Sequence, residues 1–339
     1  MKLRLGTRGS ALALAQSQMV ADAVTAATGQ AVELVEIVTP GDRSAAPVQR
    51  LGVGVFVSAL RDALLAKEID FAVHSYKDLP TASTDDLIIA AVPERADPRD
   101  VLVARDGLTL AELPPSSLVG TGALRRIAQL QALGLGLRTT PIRGNVDSRL
   151  RRVASGELDA IVLAKAGLDR LGRSAEATEA LDPMLMLPAP AQGALAVECR
   201  ADDNDLVAAL SALDHSATRA AVAAERGLLA QLEAGCSAPI AGLAEISEAG
   251  AGPGRPPGYP QAPDRAAGAA SEDEIYLRGA VFSEDGRHAI RLSRTGTFAD
   301  ADQIGRLLAA DLLAAGADRL FAFNGGETDE NDAVPGSAQ

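Results

Sequence analysis

Apolar and polar positions follow two rhythms along the first hundred residues. Short apolar or alternating runs at 2–5, 32–38 and 71–74 have the length and β-branched content of strands. Between them, residues 11–28 and 56–66 repeat their apolar positions every three or four residues, as helices do. Strands and helices taking turns predict a largely parallel sheet with helices on both faces. Chemistry then belongs in loops at the carboxyl ends of strands. Two such loops stand out: Gly6-Thr7-Arg8-Gly9-Ser10 after the first strand and Ser75-Tyr76-Lys77-Asp78 after the 71–74 strand.

The alternation restarts near residue 100. Strand-like runs at 101–103, 118–120, 140–142 and 160–163 are separated by helical segments, which predicts a second α/β unit ending near 187. The proline-rich run 187–193 reads as a crossover between units. Beyond 214 the pattern changes to α+β. There Leu228, Leu229 and Leu232 recur at helical spacing and predict a buried face. Gly235 is placed to end that helix at positive φ, and Pro239 stops any continuation, so Cys236 falls on a tight loop. Residues 249–270, rich in Gly, Pro and Ala, read as a disordered insertion, and the acidic tail 325–339 reads as disordered too.

Composition narrows the class. A chain of 339 residues has room for two or three domains, and with 3% aromatics and no Trp its cores must be filled by Ala and Leu. Two cysteines make no disulfide framework, and His74, His215 and His288 are too scattered for a metal cluster, so no metal is expected. Lys2, Arg4 and Arg8 before apolar 11–15 imitate a secretory signal, but Gln16, Ser17 and Gln18 break the run too early. No stretch reaches membrane-span length. A soluble, cytoplasmic protein is expected.

A net charge of −13 argues against a nucleic-acid partner. Against that background, residues 119–155 carry seven arginines (125, 126, 138, 143, 149, 151, 152) and one acid, Asp147. Guanidinium forks match carboxylates or phosphates, so this island reads as a polyanion site. A solvated helix face accounts for Arg151 and Arg152, but poorly for Arg125, Arg126 and Arg143, which sit beside Gly and Thr at element edges. For Cys236, a small buried thiol is the commoner fate judged from local sequence. The partial negative charge of a helix end disfavours a thiolate, so a functional role there fits covalent attachment better than nucleophilic attack.

Six segments in order carry a resemblance: 6–10, 73–81 (Val-His-Ser-Tyr-Lys-Asp-Leu-Pro-Thr), 120–126 (Gly-Thr-Gly-Ala-Leu-Arg-Arg), 143–150 (Arg-Gly-Asn-Val-Asp-Ser-Arg-Leu), 192–195 and 233–239. Together they resemble the porphobilinogen deaminase (hydroxymethylbilane synthase) family over essentially the whole chain. The resemblance implies a transferase of tetrapyrrole (haem) biosynthesis. It joins four porphobilinogens head to tail with loss of ammonia, and water then releases hydroxymethylbilane. It also implies a dipyrromethane primer held by thioether at Cys236, while Cys199 keeps a core reading.

Loss of ammonia gives an electrophilic azafulvene, and attack by the next pyrrole puts positive charge on ring nitrogens. A carboxylate beside them stabilises that charge. Asp78 matches the family's catalytic aspartate; its position before Leu-Pro would otherwise suggest a turn or cap residue. By the same resemblance Arg8, Ser10, Lys77, Thr121, Arg125, Arg126, Arg143, Arg149 and Arg170 bind cofactor or substrate carboxylates, and Gln192 lies at an inter-domain hinge. The implied fold is two doubly wound domains like those of periplasmic binding proteins plus a smaller α+β domain. Their ranges are 1–95 with 194–213, 98–190, and 215–324. A monomer is implied, with product handed to uroporphyrinogen-III synthase.

The chain departs from the family pattern at several places. Many members carry lysine where Val53 and Ser58 stand, in a lid region, and serines where Gly122 and Ala123 stand. Tyr76 replaces a frequent Met or Leu and is expected either to pack against the cofactor or simply to fill space. Two rivals are a non-enzymatic, two-lobed small-anion binding protein and a cysteine-dependent redox or acyl-transfer enzyme. The first leaves Asp78 and Cys236 unexplained, and the second lacks a partner thiol and a nearby histidine.

Overall fold

A computed structural model describes residues 2–38, 57–82, 84–232, 239–247 and 274–322. The first lobe begins with β1 (Leu3–Thr7), α1 (Ala11–Thr28) and β2 (Val32–Glu36), then α2 (Ser58–Leu65), β3 (Phe71–Ser75) and β4 (Leu87–Ala91). The second lobe opens with β5 (Asp100–Ala104), β6 (Leu118–Gly120), α3 (Leu124–Ala132) and β7 (Arg138–Thr140). It is completed by α4 (Val146–Ala154), β8 (Ala160–Ala164), α5 (Lys165–Arg170) and β9 (Glu179–Ala180). The chain then supplies β10 (Leu195–Arg200) and α6 (Asn204–Ser211) to the first lobe. A third unit contains α7 (Ser216–Gln231), β11 (Ile240–Ser247), β12 (Glu274–Phe282), β13 (Ala289–Thr297), α8 (Ala301–Ala314) and α9 (Ala317–Ala322).

Both lobes use one strand plan. The orders are β2-β1-β3-β10-β4 and β7-β6-β8-β5-β9. In each, one strand, β10 or β5, runs antiparallel to both its neighbours, and the other pairings are parallel. The antiparallel strand is the one delivered by the connection between lobes, entering each sheet against the direction of the local βα units. The fold is therefore the expected α/β class, two doubly wound sheets with a smaller α+β unit.

Central strands covered on both faces need continuous apolar runs rather than alternation. β5 and β8 satisfy this: Val101, Leu102, Ile161 and Val162 are fully buried, packed by Leu130 on one face and by Leu150 and Val153 on the other. In the first lobe Leu5, Phe71, Val197 and Cys199 pack with Val20 and Val24 of α1. Cys199 is thus a core thiol, and burial pushes its pKa up to about 11. The predicted face of Leu228, Leu229 and Leu232 is buried in the third unit's core. There α7 and α8 approach so closely that a Cβ on Gly305 would sit 2.0 Å from the Ala224 carbonyl.

The strand expected at 140–142 lies instead at 138–140, because Pro141 has no N–H to continue the ladder with β6. Cys236, Gly235, Val53, the 249–270 stretch and the 325–339 tail lie outside the described residues.

Candidate functional site

The loop after β1 is fixed by short polar contacts. Ser17 Oγ donates to Thr7 Oγ1 at 2.8 Å, and Ser10 caps α1 by accepting from the Ala13 N–H at 3.3 Å. Arg8, half-buried, lies between them in sequence. Across from it, β3 ends at Ser75 and the chain makes one helical turn over Tyr76–Asp78, closed by the Leu79 N–H donating to the Tyr76 carbonyl at 3.2 Å. Leu79 is 2% exposed and anchors the turn, while Asp78 faces solvent. Arg8, Gln16, His74, Ser75 and Asp78 line one pocket. Gln16 closes its floor with Nε2 to Ser75 Oγ at 3.1 Å.

Beneath that pocket Glu198 of β10 joins His74 and Arg61. His74 Nε2 lies 3.1 Å from Glu198 Oε2, and Arg61 reaches Glu198 Oε1 at 2.8 Å. Burial would push the Glu198 carboxyl up, but these two hydrogen-bonding partners hold it below its usual range.

Sequence reasoning missed the acid at the centre. Asp100, fully buried at the start of β5, accepts from Arg125 Nη2 at 2.7 Å, Arg126 Nη2 at 2.8 Å and Gln192 Nε2 at 2.8 Å. Burial alone would raise its pKa, yet the two guanidiniums bring it down to about 2. Arg125 also donates to the Leu187 carbonyl and Arg126 to the Val162 carbonyl. The arginine island is thus partly neutralised from outside its own stretch of chain. Its only signal in the sequence was an acid opening an otherwise apolar strand. Lys77 Nζ reaches Gln192 Oε1 at 3.4 Å, so the Asp78 loop connects through Gln192 to Asp100. Burial pushes the Lys77 ammonium down; Asp78 opposes that shift, and Arg126 adds to it.

Two further arginines, Arg149 and Arg170, are less compensated. Arg149 donates from Nε to the Gly144 carbonyl at 2.9 Å, and burial together with Arg126 and Arg143 brings its pKa down to about 10. Arg170, on α5, donates from Nη2 to the Gly193 carbonyl at 2.6 Å. Its buried Nε finds no acceptor among the described residues, and burial lowers its pKa to about 10. Thr121, fully buried, accepts from the Ala123 N–H at 3.3 Å. Ala123 occupies the N-cap of α3 with no side-chain cap, and a Cβ on Gly122 would lie 3.0 Å from the Ile142 carbonyl. Ser58 is an exposed residue opening α2.

The third unit touches this site through two adjacent residues of α7 that the sequence did not flag. Glu225, fully buried, accepts from Arg95 Nη1 at 2.7 Å and from the N–H groups of Ala191 and Ala244. Arg95 in turn donates to the Gln192 carbonyl at 2.8 Å. Arg226 donates to carbonyls of the Asp78 loop and lies over the Tyr76 ring, 4.5 Å from its centroid. Tyr76 also packs on Ala191, Ala194 and Val222, which is the space-filling role.

Residues 3–208 match the family model described as "Porphobilinogen deaminase, dipyromethane cofactor binding domain", and residues 219–251 match "Porphobilinogen deaminase, C-terminal domain". The porphobilinogen deaminase of Nocardia farcinica is 57% identical over 319 residues, 94% of this chain and 88% of its own. That of Mycobacterium tuberculosis strain H37Rv is 55% identical over 319 residues, 94% of this chain and 98% of its own. Among solved structures, a periplasmic substrate-binding protein of an ABC transporter from Coxiella burnetii is 12% identical, covering 66% of this chain and 96% of its own at a TM-score of 0.41. The methionine-binding protein MetQ is 13% identical, covering 62% and 88% at a TM-score of 0.39.

Proposed function

The chain belongs to the porphobilinogen deaminase family, and from that premise we propose how its own residues divide the work. The enzyme is a transferase of tetrapyrrole biosynthesis. It condenses four porphobilinogens head to tail with loss of ammonia, then releases hydroxymethylbilane with water. Its cofactor is dipyrromethane.

The donor set fits a polycarboxylate. One observation carries this: Arg149 is a largely buried cation whose pKa is lowered by burial and by its neighbours Arg126 and Arg143, so a ligand carboxylate would relieve it. Arg170 adds a buried Nε with no acceptor among the described residues. In our proposal Arg143, Arg149, Arg170 and Arg8 receive the acetate and propionate groups of primer and growing chain. Ser10 and Thr121 shape the loops around them. Arg125 and Arg126 share the Asp100 carboxylate, and Arg126 adds positive charge near Arg149.

When bound at Cys236, the primer supplies the terminal pyrrole to which each unit is added. In this proposal Asp78, exposed at the pocket mouth, stabilises positive charge on the incoming ring's nitrogen and takes up the proton lost on coupling. Lys77 and Gln192 hold that loop against the hinge. Among the described residues no helix is long and apolar enough to cross a membrane. We include in the proposal a cytoplasmic monomer that passes its linear product to uroporphyrinogen-III synthase.

The intact mass of purified protein tests the assignment of the anchor. A two-pyrrole adduct that disappears in Cys236→Ser together with activity is expected; an unmodified, fully active protein would sink it.

A further inference from the structure

We propose that Arg226 is the positioning residue for Asp78, holding the catalytic turn to the third unit through three backbone carbonyls and the Tyr76 ring. This inference rests on the reading of Asp78 as the catalytic carboxylate. Arg226 Nη1 donates to the Leu79 carbonyl at 3.0 Å and the Tyr76 carbonyl at 3.3 Å, and Nη2 donates to the Pro80 carbonyl at 2.6 Å. The contacts flank Asp78, two residues before it and one and two after. The Leu79 and Pro80 carbonyls gain a donor this way, and the Tyr76 carbonyl, which already accepts from the Leu79 N–H, gains a second. A planar fork serves several acceptors at once, whereas a lysine offers one ammonium point.

The arrangement also selects what the turn moves with. Arg226 neighbours Glu225 on α7, and Glu225 binds Arg95 and the Ala191 N–H at the crossing between lobes. The same helix thus grips both the hinge and the turn bearing Asp78. α7 ends at Gln231, and Cys236 follows five residues later in the sequence. The turn bearing Asp78 is thus tied to α7 as well as to the first lobe that carries it along the chain. The Tyr76 ring, whose centroid lies 4.5 Å from the guanidinium carbon, adds a cation–π contact to those three hydrogen bonds.

The test uses full-length, primer-loaded enzyme. Arg226→Gln and Arg226→Lys are each expected to lower kcat at least tenfold with KM changed less than threefold and the adduct mass retained. Tyr76→Met should lower kcat by no more than about fivefold, in line with one cation–π contact. A purely structural role would not produce the next result: in single turnover, Arg226→Gln added to Asp78→Asn should slow the reaction less than twofold further. Should Arg226→Gln fail to fold, Arg226→Lys enters the same cycle. Unchanged kcat in both Arg226 variants, or a loss strictly additive with Asp78→Asn, overturns the clamp while leaving Asp78 in place. Wild-type kcat in Asp78→Asn overturns the catalytic reading itself, and the clamp with it.

Discussion

Gln192 donates from Nε2 to Oδ1 of Asp100 across 2.8 Å, joining the segment that leaves the first lobe to the segment that returns to it. Gly193 beside it holds φ +88, and a Cβ there would come 2.5 Å from the Ala96 carbonyl, so the two crossings lie against one another. Because the same carboxylate binds Arg125 and Arg126, the paired crossings and the cation cluster share one acid.

Asp100 should therefore show in the acid limb of stability. Its pKa is depressed from 3.8 to about 2 in the fold, so its contribution is fully present above the unfolded value and is lost as pH falls through about 2. The linked part amounts to about 2 kcal/mol. Asp100→Asn leaves two buried guanidiniums without their anion and should cost on the order of 3–5 kcal/mol near neutral pH. Urea unfolding of both proteins from pH 6 to 2 checks this: the gap must narrow toward the acid end.

Glu225→Gln presents the complementary case. It leaves the Arg95 guanidinium facing a neutral amide in a buried setting and should destabilise by on the order of 3–5 kcal/mol. Arg95→Met together with Glu225→Gln should recover much of that loss in a double-mutant cycle. Additive losses would show that the two groups act independently.

Arg143→Ala should trade function for stability. Removing one member of the Arg126, Arg143, Arg149 cluster relieves repulsion in the ligand-free chain, raising stability by up to ~1 kcal/mol. Loss of one carboxylate partner should weaken binding of the growing product by on the order of 2–5 kcal/mol. Mass spectra after limited turnover should then show partly elongated chains retained on the protein. Normal product formation with no trapped species counts against the assignment.

Thiol titration gives an independent measure of the primer. Cys199 is buried with its pKa raised to about 11, so it should resist alkylation in native protein at pH 8. After unfolding, a primer on Cys236 leaves one reactive thiol of the two cysteines. Two reactive thiols in fully active enzyme contradict a thioether.

Much of the fold was legible because it is locally encoded. Apolar spacing located α1 at residues 11–28 and the buried Leu228, Leu229, Leu232 face without any neighbour being known. It misplaced β7 by two residues, because Pro141 has no N–H to donate and the ladder with β6 ends at Thr140. The motif loops after β1 and β3 also fell where a parallel sheet demands them. The charge count along the chain was less reliable: residues 119–155 looked like seven arginines facing one acid, and the acid that binds two of them comes from β5.

The sequence by itself determined the alternation of elements, the order of the motifs and, through them, the family. These are properties of neighbours along the chain, set by periodicity and residue type. Only the tertiary structure decided which cations the protein neutralises for itself and which it leaves under strain from burial and like charge. It also decided that Arg226, 146 positions from Pro80 in the chain, holds the turn carrying Asp78. Coulomb pairing and hydrogen bonding depend on separation in space, and burial multiplies their strength.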